Sequence, residues 1–514
     1  MSKKTIFVLR LKAVLLWTVA FMFLVLVICY VCQAPQLAWN DARLAPVAAW
    51  LRGYPLYTPE NSGVIIGNFY PPLGALAFLP AGLIGHPVPA IITGSILSLL
   101  MNFSPAVGAM LLCFRELQKS TEILLTGSIL YLGLLLVTEG PNFTLFAIHV
   151  DAPAIALMLW GVIFYAKWWA SGTSASLAIS AFLLASVVWA KQVGVPLPFA
   201  FLIATMLIGG ARSAVVFSAW SLATLGFWIL ALTPIVRDWH AFFYDIWTIP
   251  AGHPWRDEVT GGELERLRLF LAESVSFLRH YWLLYLLVFA ATLALDVCSK
   301  QSGAKPLRLS FALAASSLIA SLTMLPFSLL GLVKVGGNVN ASAFSIQPLL
   351  LGLVIGGLGL VEVARRAGPQ WNVVAQSIIC ACLVAFIATL RPGREILGYP
   401  LNVATAPPVT AYQQSKDGNV WFPEFPLSSL LATGRPYHHS YSVHAIFLAR
   451  KTVSPRQLAE GIPQAPFTLK YLRDDREGVE AEKMLSYLGI PPDSLSDAKV
   501  GPWQQVLVQQ LPRP

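Results

Sequence analysis

Long apolar runs separated by short polar stretches occupy the first 390 residues. Runs at 13–31, 90–112, 121–138, 151–166, 175–190, 193–210, 213–233, 281–297, 309–333, 346–363 and 371–390 each predict a helix that crosses a bilayer. A full span needs about 20 apolar residues. The run 71–84 is too short for this and predicts a re-entrant or interfacial segment. In LAPVAAWLRG, Pro46 suits a first helical turn and Gly53 a C′ position, so a short interfacial helix is expected there. Beyond residue 390 the pattern changes. Phe467-Thr-Leu-Lys-Tyr-Leu472 alternates like a strand, and 456–462 and 478–488 look helical. The expected fold class is an all-α polytopic membrane protein with about eleven transmembrane helices plus interfacial helices. A small C-terminal α/β soluble domain, 391–514, follows the transmembrane domain, 1–390.

Composition narrows the classes. Of 514 residues, 56% are hydrophobic and only 12% charged, and mean hydropathy is +0.65. Soluble domains carry about 25% charged residues. A water-soluble globule, a disordered chain and a coiled coil are all excluded. The net charge of +9 is read as basic inner loops rather than nucleic-acid binding. Lys3, Lys4, Arg10 and Lys12 precede the first span and predict a cytoplasmic N-terminus on an uncleaved signal anchor. The inner loops then hold Arg115 with Lys119, Lys167, Arg212, Lys300 with Lys305 and Arg308, and Arg365 with Arg366. Counting 71–84 as a span would invert this pattern. The odd number of spans places 391–514 outside. This tail holds 13 Lys plus Arg and 11 Asp plus Glu. All six cysteines lie in or beside apolar runs and read as small buried side chains, including the Cys29-x-x-Cys32 pair.

The same topology puts Asp41, Arg43, Arg52, Glu60, Glu139, His149, Asp151, Lys191 and Lys334 on the outer side, mostly at span ends or in short loops. Outer cations oppose the positive-inside trend and call for another reason. Asp41 and Arg43 follow the first span in the outer loop 33–70. Lys191, with Gln192, and Lys334, with Asn338, close two spans. Each lysine suits a phosphate, and each equally suits snorkelling to the headgroups. His149 and Asp151 suit a hydrogen-bonded pair or, with Glu139, a weakly supported divalent metal site. Asp151 also suits a helix N-cap before Pro153. His438 and His439 in the tail suit core positions or substrate contact. Asn142 and Asn340 begin glycosylation sequons.

The order of elements resembles the GT-C superfamily of integral membrane glycosyltransferases, in particular bacterial members using polyprenyl-phosphate-linked sugars. The resemblance rests on Asp41 after the first span, Gly53-Tyr-Pro-Leu-Tyr57 and Tyr70-Pro71-Pro72-Leu73. Asp151-Ala-Pro153, Lys191-Gln192 and Lys334-Val-Gly-Gly-Asn338-Val-Asn340 continue it, over residues 10–390. It implies an acidic catalytic base in the first outer loop, matching Asp41. The second acid that many members carry beside it is Asn40 here. It implies basic residues at outer span ends on the lipid phosphate, matching Lys191 and Lys334. The implied location is the plasma (inner) membrane, and the implied partners are a polyprenyl-phosphate-linked sugar donor, a glycan, lipid or protein acceptor, and the bilayer, with no nucleic acid.

The residues agree with this chemistry. No Gly-rich phosphate loop on a strand–helix unit is present, and a lipid phosphate needs none. Transfer needs a base for the acceptor hydroxyl and cations for the departing phosphate. One base and a single displacement imply inversion. The competing readings are a transporter or lipid flippase, and a non-catalytic scaffold. Transporters usually place ionisable groups near the midplane and often show internal repeats. Here the spans are nearly free of charge and the polar set lies at one face.

Overall fold

The computed structural model describes residues 3–115, 120–255, 263–334, 338–390, 406–464, 466–472, 499–500 and 503–508. The expected helix 478–488, Lys119, and the Gly336-Gly337 pair of the Lys334 motif lie outside the described residues.

All eleven expected spans are helical. The first is α1 (Lys3–Gln33). It buries Leu16, Val19, Phe23 and Leu26 while exposing Phe7, Val14, Trp17, Phe21 and Leu24. A helix that is apolar on both its packed and its open face belongs in lipid. Next come α2 (Ala38–Trp50), the short α3 (Pro72–Leu76) and α4 (Leu79–Gly82), then α5 (Pro87–Phe114) and α6 (Ser120–Val137). α7 (Glu139–Phe146) leaves α6 at a bend of 103°. α8 (Asp151–Ser171) and α9 (Ser174–Ala190) form a hairpin. α10 (Pro196–Val236) holds two expected spans, broken at Gly210, whose φ of 73° lies in the left-handed region. α11 (Trp239–Phe243) and α12 (Ile249–Gly252) flank a π-helical turn. α13 (Glu263–Ser302), α14 (Lys305–Val333), α15 (Ala343–Ala367) and α16 (Pro369–Thr389) complete the bundle. Among the described residues, eight helices are long and apolar enough to cross a membrane, or nine if the bent pair is one span. The protein is a polytopic all-α membrane protein.

Small residues set the helix contacts. A side chain at Gly352 would meet Ser317 at 3.1 Å, and one at Gly359 would meet Leu295 and Ser310 at 2.9 and 3.1 Å. Without a hydrophobic drive between helices in lipid, such close approach supplies the packing energy. The basic loop ends gather at one end of the bundle. There Lys12 pairs with Glu122, and Glu362 takes Arg365 and Arg366 at 2.8 Å each.

Two local expectations are corrected. The helix expected at 46–53 begins at Ala38, and Pro46 lies inside it. Nor does α2 lie on an interface, because most of it from Ala38 to Ala49 is buried. It is packed between α3, α4 and α5 on one side and the C-terminal segment on the other. The run 71–84 is folded as α3 and α4, neither of which spans.

The C-terminal segment contributes α17 (Pro407–Ser415), α18 (Pro426–Thr433), α19 (Ser440–Leu448) and α20 (Pro455–Glu460). Its four strands are β1 (Val420–Trp421), β2 (Phe467–Leu472), β3 (Lys499–Val500) and β4 (Trp503–Val508), in the order β1-β2-β4-β3. β1 runs parallel to β2, and the other pairs are antiparallel. The expected alternation holds: Phe467, Leu469 and Tyr471 are buried. The apolar clusters of this segment are completed by the rest of the chain. Ile65, Phe69, Tyr244 and Ile249 join one, and Ala38 of α2 joins the other. Gly67 marks the closest approach. Its φ is 71°, and a Cβ there would stand 2.0 Å from Ser442 Oγ.

Candidate functional site

At the opposite end of the bundle from Lys12, the polar residues singled out in the sequence fall into two groups. The first is a buried ionic cluster. Asp151 opens α8, where the helix N-terminus favours a carboxylate. It is 0% exposed. Its Oδ1 receives the Lys191 ammonium. Its Oδ2 accepts from Asn340 Nδ2 at 2.6 Å and lies 2.9 Å from His149 Nδ1. Burial holds His149 below the usual imidazole pKa, with Arg43 and Lys191 acting the same way against Asp151. The Asp151 backbone N–H also lies 3.3 Å from Nδ1 of this ring. Its Nε2 lies 3.5 Å from the Tyr70 hydroxyl.

This cluster corrects several expectations. Asp151 is not an N-cap, since Val150 holds that place and the Asp151 carboxylate is used across helices. Lys191 does not snorkel. The grouping of His149, Asp151 and Glu139 as metal ligands is not assembled. Among the described residues no three His, Cys, Asp or Glu side chains come together in that way.

The second group surrounds Arg43. Its guanidinium lies 5.1 Å from the Trp39 ring centroid and 5.2 Å from that of Tyr70. Such contacts hold a cation by the ring quadrupole. Among the described residues no carboxylate or other acceptor pairs with it. Tyr70 is fixed from behind, because the Tyr57 hydroxyl donates to the Tyr70 carbonyl at 2.9 Å. Arg43 lines two adjoining cavities. One, of about 20 Å³, is bounded by Asn68, Tyr70, Phe78 and His149. The other, of about 10 Å³, is bounded by Trp39, Phe69, His439, Tyr441 and Ser442. A larger cavity lies at the far end of the bundle, among Lys12, Glu122, Glu362 and Arg365. The charges there are satisfied by one another.

The remaining assignments have structural uses. Asp41 is 0% exposed and lines neither Arg43 cavity. Its carboxylate accepts from Leu427 N at 2.8 Å, Ser428 N at 3.2 Å and the Ser428 hydroxyl. It thus caps the N-terminus of α18 from another part of the chain, rather than facing a substrate. Burial pushes its pKa up to about 7, against those hydrogen bonds. Gln192 Nε2 donates to the carbonyls of Phe69 and Ile246 at 3.3 and 3.0 Å. Lys334 donates to the Pro250 carbonyl at 3.2 Å, and burial lowers its pKa. Asn338 Oδ1 accepts from Val339 N at 2.7 Å and starts the turn that delivers Asn340. Glu60 lines neither Arg43 cavity.

Of the two tail histidines, His438 is a core residue. Its Nδ1 accepts from Ile65 N at 2.9 Å, and its Nε2 meets the Gln457 carbonyl at 2.9 Å. His439 belongs to the cavity wall, and its Nε2 is buried with no partner among the described residues. Sequence reasoning left Trp39, Asn68, Tyr441 and Asn340 out of the site. Only Asn340 had a signal, as the end of the Lys334 motif.

No protein-family model and no curated protein matches this sequence. Among solved structures, the chain is similar to ArnT from Cupriavidus metallidurans bound to undecaprenyl phosphate. Identity is 12% and the TM-score 0.45, over 95% of this chain and 97% of that one. The apo state of the same protein gives 12% and 0.41, over 91% and 94%. The archaeal oligosaccharyltransferase AglB from Archaeoglobus fulgidus, in complex with an inhibitory peptide and a dolichol-phosphate, gives 11% and 0.39. That match covers 92% of this chain and 71% of the other.

Proposed function

We propose that this chain is a membrane glycosyltransferase. It moves a sugar from a polyprenyl-phosphate donor to an acceptor hydroxyl at the outer membrane face, with inversion at the sugar carbon. The observation that carries this reading is Arg43: a guanidinium held between Trp39 and Tyr70, without a carboxylate partner among the described residues, at the wall of two cavities. A planar guanidinium grips a phosphate with two parallel hydrogen bonds. The lipid tail runs along the apolar helices, and the phosphate meets Arg43 where the bundle ends. As the bond to the sugar breaks, charge grows on the phosphate, and a fixed cation stabilises that growth. Inversion follows from the carboxylates nearby. Asp151 is saturated by Lys191, Asn340 and His149, and Asp41 by α18, so neither supplies a second nucleophile.

The test is Arg43→Gln in purified protein, titrated with a polyprenyl phosphate. Loss of a charge-assisted contact costs about 1.5–3 kcal/mol, so affinity is expected to fall roughly 10- to 100-fold. The thermal midpoint should stay near wild type. Arg43→Lys should not restore affinity, because an ammonium lacks the fork. Equal affinity in Arg43→Gln overturns the proposal.

Orientation follows from the charge pattern. With the Lys12 end in the cytoplasm, a fused reporter that works only outside should be active at residue 514. A cytoplasm-only reporter active at that position would put the Arg43 site on the wrong face.

A further inference from the structure

We infer that the cavity between α2 and the C-terminal segment is the subsite for the acceptor hydroxyl, and that His439 Nε2 is the atom receiving its proton. This rests on the glycosyl transfer proposed above and adds to it the base, which Asp41 does not supply.

The hydrogen-bond chain fixes the tautomer. Ser442 Oγ lies 3.0 Å from the Ile66 carbonyl, and a carbonyl can only accept, so the hydroxyl hydrogen points there. His439 Nδ1 lies 2.8 Å from the same Oγ. With its hydrogen committed to Ile66, that oxygen can only accept from His439. The imidazole hydrogen is therefore on Nδ1, and Nε2 carries a lone pair. His439 is 3% exposed, and this Nε2 has no partner among the described residues. A buried polar atom left open costs free energy unless something meets it. The cavity that His439 lines, about 10 Å³, has room beside the ring for about one oxygen atom, the size of a hydroxyl.

The other walls suit a carbohydrate. Trp39 and Tyr441 meet edge to face with centroids 4.7 Å apart. The Trp39 ring also stands against the His439 ring, 6.5 Å away and nearly perpendicular. Aromatic faces take the C–H face of a sugar by burial of apolar surface. Arg43 lines both cavities, so a phosphate bound to it lies at the boundary of the acceptor subsite.

In the step itself, the acceptor oxygen bonds to the anomeric carbon as the bond from that carbon to the phosphate oxygen breaks. The electron pair departs on the polyprenyl phosphate, held by Arg43. The hydroxyl proton passes to His439 Nε2. Donor binding also prepares the base. Burial and the Arg43 charge hold the His439 pKa down at about 3. A phosphate on Arg43 offsets the lesser cause, the charge, and moves the imidazole pKa upward, while burial, the larger cause, remains.

The experiment compares cells lacking the gene with cells carrying wild type, Arg43→Gln or His439→Gln. Mass spectrometry follows the gain of one sugar on membrane glycolipids and surface glycans over time. In parallel, the purified proteins are titrated with a polyprenyl phosphate. His439→Gln is expected to slow product formation about 10²-fold or more, as for loss of a general base. Its phosphate affinity should stay within about twofold of wild type. Ser442→Ala, which frees the tautomer, should slow transfer about 10-fold with the same affinity. Wild type that forms no product sinks the glycosyltransferase reading itself. Active wild type with His439→Gln at the wild-type rate overturns this inference alone. So does loss of phosphate affinity and thermal midpoint in His439→Gln together with a wild-type rate in Ser442→Ala, because the histidine is then only a packing residue.

Discussion

Lys191→Met is expected to destabilise the fold by about 3–5 kcal/mol, because it strands a buried carboxylate. Asp151 is 0% exposed, and Lys191 is its cationic partner. Asn340 and His149 remain against the carboxylate after the change, but Asn340 carries no charge and burial opposes one on His149. Methionine keeps an apolar stem and removes the ammonium, which also lies over the Phe344 and Tyr70 rings, 4.9 and 5.9 Å from their centroids. Thermal unfolding in detergent should show a large fall in midpoint. Adding Asp151→Leu to Lys191→Met should recover part of it, since removing both charges removes the stranded one. Lys334→Met should cost less, because among the described residues that half-buried ammonium meets only the carbonyls of Pro250 and Ala251. If Lys191→Met instead lowers polyprenyl phosphate affinity with no change in midpoint, the lysine serves the phosphate and not the fold.

The bundle was legible in the sequence because the bilayer imposes a one-dimensional rule: a span must be long and apolar. Each of the eleven runs became helix, and Phe467–Leu472 became the strand that its alternation predicted. The errors came where a residue's partner is distant in the chain. Asp41 looked like an outer-loop base, yet its partners are Leu427 and Ser428, 386 and 387 positions away. Pro46 looked like a helix start because proline suits a first turn, yet α2 begins eight residues earlier. Lys191 and Asp151 were both picked out, but nothing local showed that each was chosen by the other. His438 and His439 stood side by side with the same two readings, and nothing local told them apart. His439 gains meaning only from Ser442 on one side and a cavity on the other.

Asp41→Asn is expected to change how stability depends on pH, more than it changes the chemistry. Burial raises the Asp41 pKa from 3.8 to about 7 in the folded protein. The native state then holds a proton that the unfolded chain has released. Stability from this group is full below about pH 4 and falls as pH rises through about 7, at roughly 1.4 kcal/mol per unit. No charged side chain is among the causes of the shift, so only burial and the α18 donors set it. Asparagine cannot titrate. Its amide nitrogen also confronts one of the donors that Asp41 satisfies, costing about 1–3 kcal/mol. At pH 5 the variant should therefore unfold at a lower temperature than wild type. By pH 8 the gap should close or reverse, because wild type then buries a bare carboxylate. Thermal midpoints at the two pH values check this, with protease cleavage of the C-terminal segment as a local readout. A gap that stays constant from pH 5 to 8 means that Asp41 caps α18 as a charged group throughout. A turnover loss of about 10²-fold with midpoints equal to wild type at both pH values would restore Asp41 as the catalytic base. It would also take that role from His439, since one displacement has one proton to place.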